Sequence, residues 1–153
     1  MACDRAAADL MDGKDPFQLQ RFVDAQDGQF ETALAELEAG RKQNHWMWFV
    51  FPQVAGLGRS PTAQFYGIRS MHEARAFIAH PVLGERYRRS VEALARWAGT
   101  RNAVEILGEV DALKLRSSLT LFEAASGDAL FAQTLEAFFE GPDEATLQIL
   151  KRS

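Results

Sequence analysis

Apolar residues recur three or four positions apart along most of the chain. In residues 83–98, Leu83, Tyr87, Val91, Leu94 and Ala98 follow this spacing, which places them on one face of a helix. Similar stripes occupy residues 17–26, 30–37, 111–125, 128–139 and 143–150. Almost no segment shows the alternation of apolar and polar residues expected of a strand. The pattern predicts an all-α fold of about seven to nine short helices.

Capping residues mark where several of these helices begin. Ser or Asp stands directly before four of the apolar stripes, where its side chain can accept a hydrogen bond from a free backbone N–H. The four positions are Ser60, Ser70, Asp128 and Asp143. Glu73 follows Ser70 at the spacing of a capping box, in which the glutamate reaches back to the backbone of the cap residue.

Two X-Pro pairs predict further helix starts. Asp15-Pro16 combines a capping carboxylate with a proline suited to the first helical position. His80-Pro81 precedes the longest apolar stripe, so the longest helix is expected to begin there.

The segment 45–51 cannot be assigned by periodicity. It contains a short run of consecutive apolar residues, Trp46 to Phe51, which suits a buried strand or a buried helix equally. Pro52 ends the segment in either case. Trp46 and Trp48 would share one face of a strand but not of a helix. In a helix, at least one indole therefore points away from the main core, towards a partner helix or a pocket.

Length and composition fit one globular domain. A chain of 153 residues with 47% hydrophobic residues can build a core without a metal or a disulfide. We expect residues 1–14 to form a flexible N-terminal segment and residues 15–153 to form a single helical domain. Cys3 is the one cysteine, and no Cys and His spacing resembles a zinc site. No metal or cofactor is predicted.

Two features bear on location. No apolar region of a secretory signal follows the charged N-terminal residues. No apolar run approaches the roughly 18 residues that a bilayer-spanning helix needs. We expect a cytoplasmic protein without membrane contacts, and the sequence does not fix its oligomeric state.

Charge is distributed unevenly along the chain. Residues 1–40 carry a net charge of −6, residues 41–101 carry +7 and residues 102–153 carry −5. If the basic side chains of the middle segment converge on one surface, that surface attracts anions. Alternatively, the acidic end segments pack against the middle and cancel its charge. The acidic pI of about 5.4 argues against a dedicated nucleic-acid-binding protein.

The segment Gln53–Pro61 is a glycine-bearing loop that runs into a helix start. Backbone N–H groups at such a junction favour a bound anion, and Arg59 can offer a bidentate contact to phosphate or carboxylate. Gln53 and Ser60 would add hydrogen bonds. The glycine spacing matches neither the phosphate-loop nor the dinucleotide fingerprint. In the alternative interpretation, Ser60 is only an N-cap.

The aromatic segment before this loop also admits two interpretations. Either Trp46 or Trp48 stacks on the ring of a ligand, or both indoles fill the core. His45 is the one plausible general acid or base if a partner fixes its tautomer. Otherwise it is a structural group at a solvated helix start.

A second cluster of polar residues lies on one predicted helix. Lys114, Ser117 and Ser118 share one of its faces. A nucleophilic Ser-x-x-Lys pair requires the serine before the lysine, and here the order is reversed, so acyl-enzyme chemistry is not predicted. Small hydroxyl residues in the middle of a helix also occur where two helices pack closely.

Several longer motifs resemble one protein family. They are Asp15-Pro16-Phe17, HWMWFVFPQ at 45–53, GLGRSP at 56–61, HPVLG at 80–84 and KLRSSLTLF at 114–122. Over about residues 15–150 the chain is similar to an uncharacterised family, domain of unknown function 1810. Some members carry a calpastatin label that does not suit a folded domain. The resemblance implies a compact, all-helical bacterial protein and favours a helix at 45–51, but it assigns no activity to any residue.

Two functional hypotheses follow. In the first, residues 45–60 and 114–120 meet in a pocket that binds, and in one version turns over, a small anionic or nucleotide-like ligand. Its candidate residues are His45, Trp46, Trp48, Gln53, Arg59, Ser60, Lys114, Ser117 and Ser118. In the second, the chain is a non-catalytic module that binds an acidic protein or a nucleic acid through the basic segment 41–101. Whether the protein is an enzyme is left open.

Overall fold

Ten helices occur within residues 14–152, the range that the computed structural model describes. In chain order they are α1 (Gln20–Gln26), α2 (Phe30–Glu38), α3 (Met47–Val50), α4 (Pro61–Tyr66), α5 (Met71–Ala79), α6 (Leu83–Ala95), α7 (Ala103–Leu107), α8 (Glu109–Ser126), α9 (Ala129–Phe139) and α10 (Glu144–Arg152). No strand occurs in this range, where an isolated bridge joins Val54 and Ile68. The predicted all-α fold is confirmed, with one helix more than the expected range. Cys3 and most of the predicted N-terminal segment 1–14 lie outside the described residues.

The four predicted N-caps are confirmed. The Ser60 and Ser70 hydroxyls accept hydrogen bonds from the N–H groups of the third helical residue, at 3.1 and 3.0 Å. Asp128 accepts from Leu130 N–H at 2.9 Å, and Asp143 accepts from Thr146 N–H at 3.0 Å. These local signals fix where α4, α5, α9 and α10 begin.

The helix start predicted at Asp15-Pro16 is wrong, because a turn separates Pro16 from α1. Asp15 does accept hydrogen bonds from the N–H groups of Leu19 and Gln20, both at 2.8 Å. The intervening Gln18 has a left-handed backbone with φ 55°, which a continuous helix excludes.

The longest helix is α8, with 18 residues, and not the 13-residue α6 that was expected to begin at His80-Pro81. His80 lies before α6, where its Nδ1 accepts hydrogen bonds from the N–H groups of Val82 and Leu83, at 3.1 and 3.2 Å.

The predicted capping box at Ser70 is also only half formed. The Glu73 carboxylate accepts from Arg69 N–H at 3.0 Å instead of from the Ser70 N–H. Its other oxygen pairs with Arg21 at 2.7 Å. A complete capping box forms between Asn102 and Glu105 at the start of α7. Glu73 instead forms a buried ion pair with Arg21, a distant residue that a local sequence pattern does not include.

Helices α6 and α8 organise the core. Helix α8 packs against α5, α7, α9 and α10, and α6 packs against α2, α3, α5 and α9. Tyr87 of α6 lies at the centre, with its ring centroid 4.6 Å from that of Phe122 and 5.2 Å from that of Phe131. Within residues 14–152, none of the helices combines the length and the apolar character that crossing a bilayer requires.

Candidate functional site

Glu36, near the end of α2, holds the loop of residues 41–46. Its Oε1 accepts hydrogen bonds from the N–H groups of Gln43 and Asn44, at 2.7 and 2.9 Å, and from Trp46 Nε1 at 2.9 Å. Asn44 Nδ2 donates to Oε2. Burial alone would raise the pKa of Glu36, but these four donors together lower it to about 2. The loop is therefore held by a carboxylate that is ionised at neutral pH.

The two tryptophans of this segment have different environments, as expected for a helix at this position. Trp46 is fully buried, and Glu36 satisfies its indole N–H. Trp48, in the four-residue helix α3, is half-buried. The core interpretation therefore describes Trp46, while Trp48 keeps part of its surface open.

Two lysines meet at one carboxylate beside these indoles. Lys42 Nζ lies 2.8 Å from Asp111 Oδ2, and Lys114 Nζ lies 3.2 Å from Asp111 Oδ1. The lysine side chains are only 10% and 19% exposed. One carboxylate thus bridges two partly desolvated ammonium groups, and the three side chains together carry a net charge of +1.

Each of the two ammonium groups also lies over an indole ring. Lys114 Nζ is 4.0 Å from the ring centroid of Trp48, and Lys42 Nζ is 5.4 Å from that of Trp46, which is within cation–π range. We call these five residues, Lys42, Trp46, Trp48, Asp111 and Lys114, the lysine–tryptophan cluster. It joins the segment 41–48 to α8, and its Trp48–Lys114 contact is the one part that belongs to the predicted meeting of residues 45–60 with 114–120.

Three further basic side chains of the candidate region are exposed. They are Arg41, His45 and Arg59. Among the contacts of residues 14–152, none fixes the imidazole of His45 or engages either guanidinium. The condition set for His45 as an acid or base, a partner that fixes its tautomer, is therefore not met by the described residues.

The loop 53–60 packs against Trp48 and leaves little space. A Cβ built on Gly58 would lie 4.0 Å from Trp48 Cη2 and only 2.8 Å from Ala63 Cβ. The cleft between Trp48, Gln53, Gly58 and Tyr66 has a volume of about 10 Å³, which is the space of one water molecule. The region around Trp48 is thus a surface site rather than a deep pocket, and Ser60 in this loop serves as the cap of α4.

The two serines of α8 are used inside the protein. Ser118 is fully buried and shares a hydrogen bond with the Tyr87 hydroxyl at 2.9 Å. Ser117 donates to Leu113 O at 3.2 Å and lies 3.3 Å from Asp143, the cap of α10. These contacts match the close-packing interpretation, so the proposal below does not use either serine.

Sequence reasoning missed Glu36, Lys42 and Asp111. Two of them left a local signal: Asp111 precedes Lys114 by three positions, an ion-pair spacing on a helix, and Lys42 lies in the polar run before His45. Nothing local points to Glu36, because its four donors follow the end of its own helix.

Comparisons with known proteins place the fold but not the activity. A family model described as "Protein of unknown function (DUF1810)" matches residues 16–150. The chain is similar to the conserved hypothetical protein Rv1873 from Mycobacterium tuberculosis, whose crystal structure is known. The two sequences are 44% identical, and the structures align with a TM-score of 0.87 over 90% of this chain and 99% of that chain. None of the curated proteins matches.

Proposed function

This chain belongs to the DUF1810 family of proteins of unknown function, and from its own geometry we propose that it binds a small anionic ligand carrying a planar ring. The site is the lysine–tryptophan cluster. The observation that carries the proposal is that Lys42 and Lys114 share one carboxylate while each lies on an indole.

The two ammonium groups of the cluster favour an anion. The adjacent carboxylate of Glu36 adds a negative charge to the surroundings, and four hydrogen-bond donors, including the Trp46 indole N–H, stabilise that charge. Two ammonium groups face one carboxylate, and both are largely withdrawn from water. Electrostatic attraction is several-fold stronger at such partly buried positions than in bulk water. The exposed Arg41, His45 and Arg59 lie in the two segments that flank Trp48, where they can add to the positive potential and to ligand contacts.

The half-buried Trp48 offers the ring contact. Lys114 covers one indole face at 4.0 Å, and a cation–π contact of this kind is worth about 0.5–2 kcal/mol. A lysine side chain is flexible, so its ammonium can follow an incoming anion and release that face. A planar ring stacked there contributes about 1–3 kcal/mol, of the same order as the contact it replaces, and the anionic group supplies the gain at the ammonium.

Binding, and not turnover, is the function we propose. His45 is the one side chain in the region suited to proton transfer, and general acid–base catalysis needs it held in one tautomer near the reacting group. In the described structure it is exposed and unheld. Its part in the proposal is that of a hydrogen-bond donor at the edge of the site.

A specific observation favours a protein-binding function on a surface outside the basic segment 41–101 of the second hypothesis. Val110 and Leu113 of α8 are 67% and 64% exposed and directly precede Asp111 and Lys114. Exposed apolar side chains beside positive charge suit an acidic protein partner. Such a partner would bind less tightly at high salt. Leu113→Ser, which leaves the lysines in place, should abolish its binding.

Calorimetric titration with adenosine 5′-monophosphate and with adenosine tests the ligand proposal. We expect the phosphorylated probe to bind and adenosine to bind at least about tenfold more weakly, a difference of about 1.4 kcal/mol. Lys114→Gln should remove most of the affinity for the monophosphate, and Trp48→Leu should weaken both probes.

Arg96→Gln is the matched control, because Arg96 is an exposed cation in a different groove, lined by Leu34, Glu38 and Glu92. Equal loss of affinity in Lys114→Gln and Arg96→Gln would indicate non-specific charge attraction. Full affinity in Lys114→Gln would exclude the cluster as the site.

A further inference from the structure

The arrangement of Asp111 gives information about the ligand itself. Its two carboxylate oxygens each take one ammonium, Oδ2 from Lys42 at 2.8 Å and Oδ1 from Lys114 at 3.2 Å. Asp111 is 17% exposed, so the shared charge lies near the surface, where an incoming group can reach it.

We propose that Asp111 is an internal competitor that a dianionic head group, a phosphomonoester above all, displaces from between Lys42 and Lys114 and that a monoanionic carboxylate does not. This inference rests on the proposed function, because it concerns the same cluster. Asp111 occupies the positions that two terminal oxygens of a ligand head group would take between Lys42 and Lys114.

Charge then decides which ligand can replace it. A monoanionic carboxylate only repeats the contact that Asp111 already makes, and the displaced Asp111 remains nearby as a like charge. A phosphomonoester carries about −1.5 to −2 charges at neutral pH and has three terminal oxygens. It can pair with both ammonium groups, and its electrostatic attraction to them is stronger than that of the internal carboxylate.

The positions of the two lysines suit this exchange. Lys42 keeps a second contact on Trp46, so its place does not depend on Asp111 alone, whereas Lys114 gives up its contact with Trp48 to the ligand ring and follows the head group. The Lys42 backbone is also fixed, since its N–H donates to Ile106 O at 2.8 Å. A head group that displaces Asp111 therefore meets one cation held in position, Lys42, and one that follows it, Lys114.

The test compares two ligands that differ only in the head group. Adenosine 5′-monophosphate and adenosine 5′-carboxylic acid are titrated into the wild type and into Asp111→Asn by calorimetry. The wild type should prefer the phosphate by about tenfold or more. In Asp111→Asn both affinities should rise, by about fivefold to tenfold for one like charge removed at contact distance, and the phosphate should gain at least as much as the carboxylate because its charge is larger.

Lys42→Met is a second variant that keeps the inference testable if Asp111→Asn does not fold. With one ammonium removed, Lys114 pairs with Asp111 alone, so the affinity for the phosphate should fall at least about fivefold. Circular dichroism of both variants shows that the helices are retained.

The outcomes separate the two proposals. Absence of binding to the wild type and to Asp111→Asn overturns the proposed function and this inference with it. Binding to the wild type that Asp111→Asn leaves unchanged or weakens overturns only the inference, since Asp111 would then orient the lysines and not compete with the ligand.

Discussion

At the scale of single residues, Glu36 shows how one carboxylate can organise a loop. Its four hydrogen bonds come from three residues that follow α2, and they hold the backbone before His45 and the indole after it. The segment that brings Lys42 to Asp111 therefore depends on Glu36.

We predict that Glu36→Gln lowers the free energy of unfolding at pH 7 by about 1–3 kcal/mol, because an amide NH₂ would face N–H donors. The folded-state pKa of about 2 lies below the usual 4.5. The contribution of Glu36 is therefore present above pH 4.5 and lost as the pH falls from 4.5 towards 2. Urea denaturation across this range should show a flatter pH dependence in the variant.

Glu38→Gln is the control for this experiment, because Glu38 is exposed on the same helix. It should change stability by less than about 0.5 kcal/mol. If the two variants behave alike, the loop does not depend on the Glu36 hydrogen bonds.

His80 gives a second prediction, which concerns mild acid. Burial lowers the pKa of His80 below its ordinary value of 6.5, the nearby Arg86 lowers it further and Asp15 opposes them. Its Nδ1 accepts two N–H groups before α6, which requires the neutral ring. The unfolded chain binds the proton more readily, so stability is complete above about pH 6.5 and declines below it.

Asn can replace His80 as a cap without titrating. We expect His80→Asn to lose less unfolding free energy than the wild type between pH 7 and pH 5, measured by urea denaturation. His45 and His72 are present in both proteins, so the difference reports on position 80. An identical pH dependence in the two proteins would show that His80 is not the titrating cap.

At the scale of helices, the sequence was most informative where the determinants are local. Ser60, Ser70, Asp128 and Asp143 are confirmed as caps, because a cap contacts N–H groups two or three residues away. Predictions failed where distant groups intervene. Arg21 uses all five of its N–H donors on carbonyls and on Glu73, and these contacts reach from residue 17 to residue 73.

The contact between α5 and α6 supplies a prediction at this scale. A Cβ built on Gly84 would overlap the Ile78 carbonyl oxygen and lie 2.9 Å from its carbonyl carbon. Alanine has a higher helix propensity than glycine by about 1 kcal/mol, but the obstacle here is backbone. We expect Gly84→Ala to destabilise the protein by about 1–3 kcal/mol.

Glu92→Ala on the exposed face of α6 is the matched control and should change stability by less than about 0.5 kcal/mol. Both variants are compared by thermal and urea denaturation. A stabilising Gly84→Ala would mean that α5 and α6 are less closely packed than the structure indicates.

At the scale of the whole molecule, the uneven charge of the sequence is partly used to hold the fold together. Lys42 and Arg88 of the basic middle segment pair with Asp111 and Asp128 of the acidic C-terminal segment. The sequence predicted such pairing as one of two possibilities. The choice of partners depends on where the loop before α3 meets α8 and on where α6 meets the start of α9.

The meeting of the two motifs illustrates the same limit. Trp48 and Lys114 were candidates from residue type alone, and the structure brings them within 4.0 Å. Ser118, on the same predicted helix face, is directed to Tyr87 in the core. Helical periodicity gives the face of a residue, and only the packing of α8 against its neighbouring helices determines which side chains become buried.

The most direct test of the proposed site is a two-dimensional ¹H–¹⁵N NMR titration of the protein with adenosine 5′-monophosphate. We expect the largest chemical-shift changes at the Trp48 indole N–H and at the backbone amides of Lys42, Asp111 and Lys114. In Lys114→Gln, which should lose most of the affinity, these chemical-shift changes should largely disappear. Changes centred elsewhere, such as the groove beside His80 and Arg88, or no changes at millimolar probe, would contradict it.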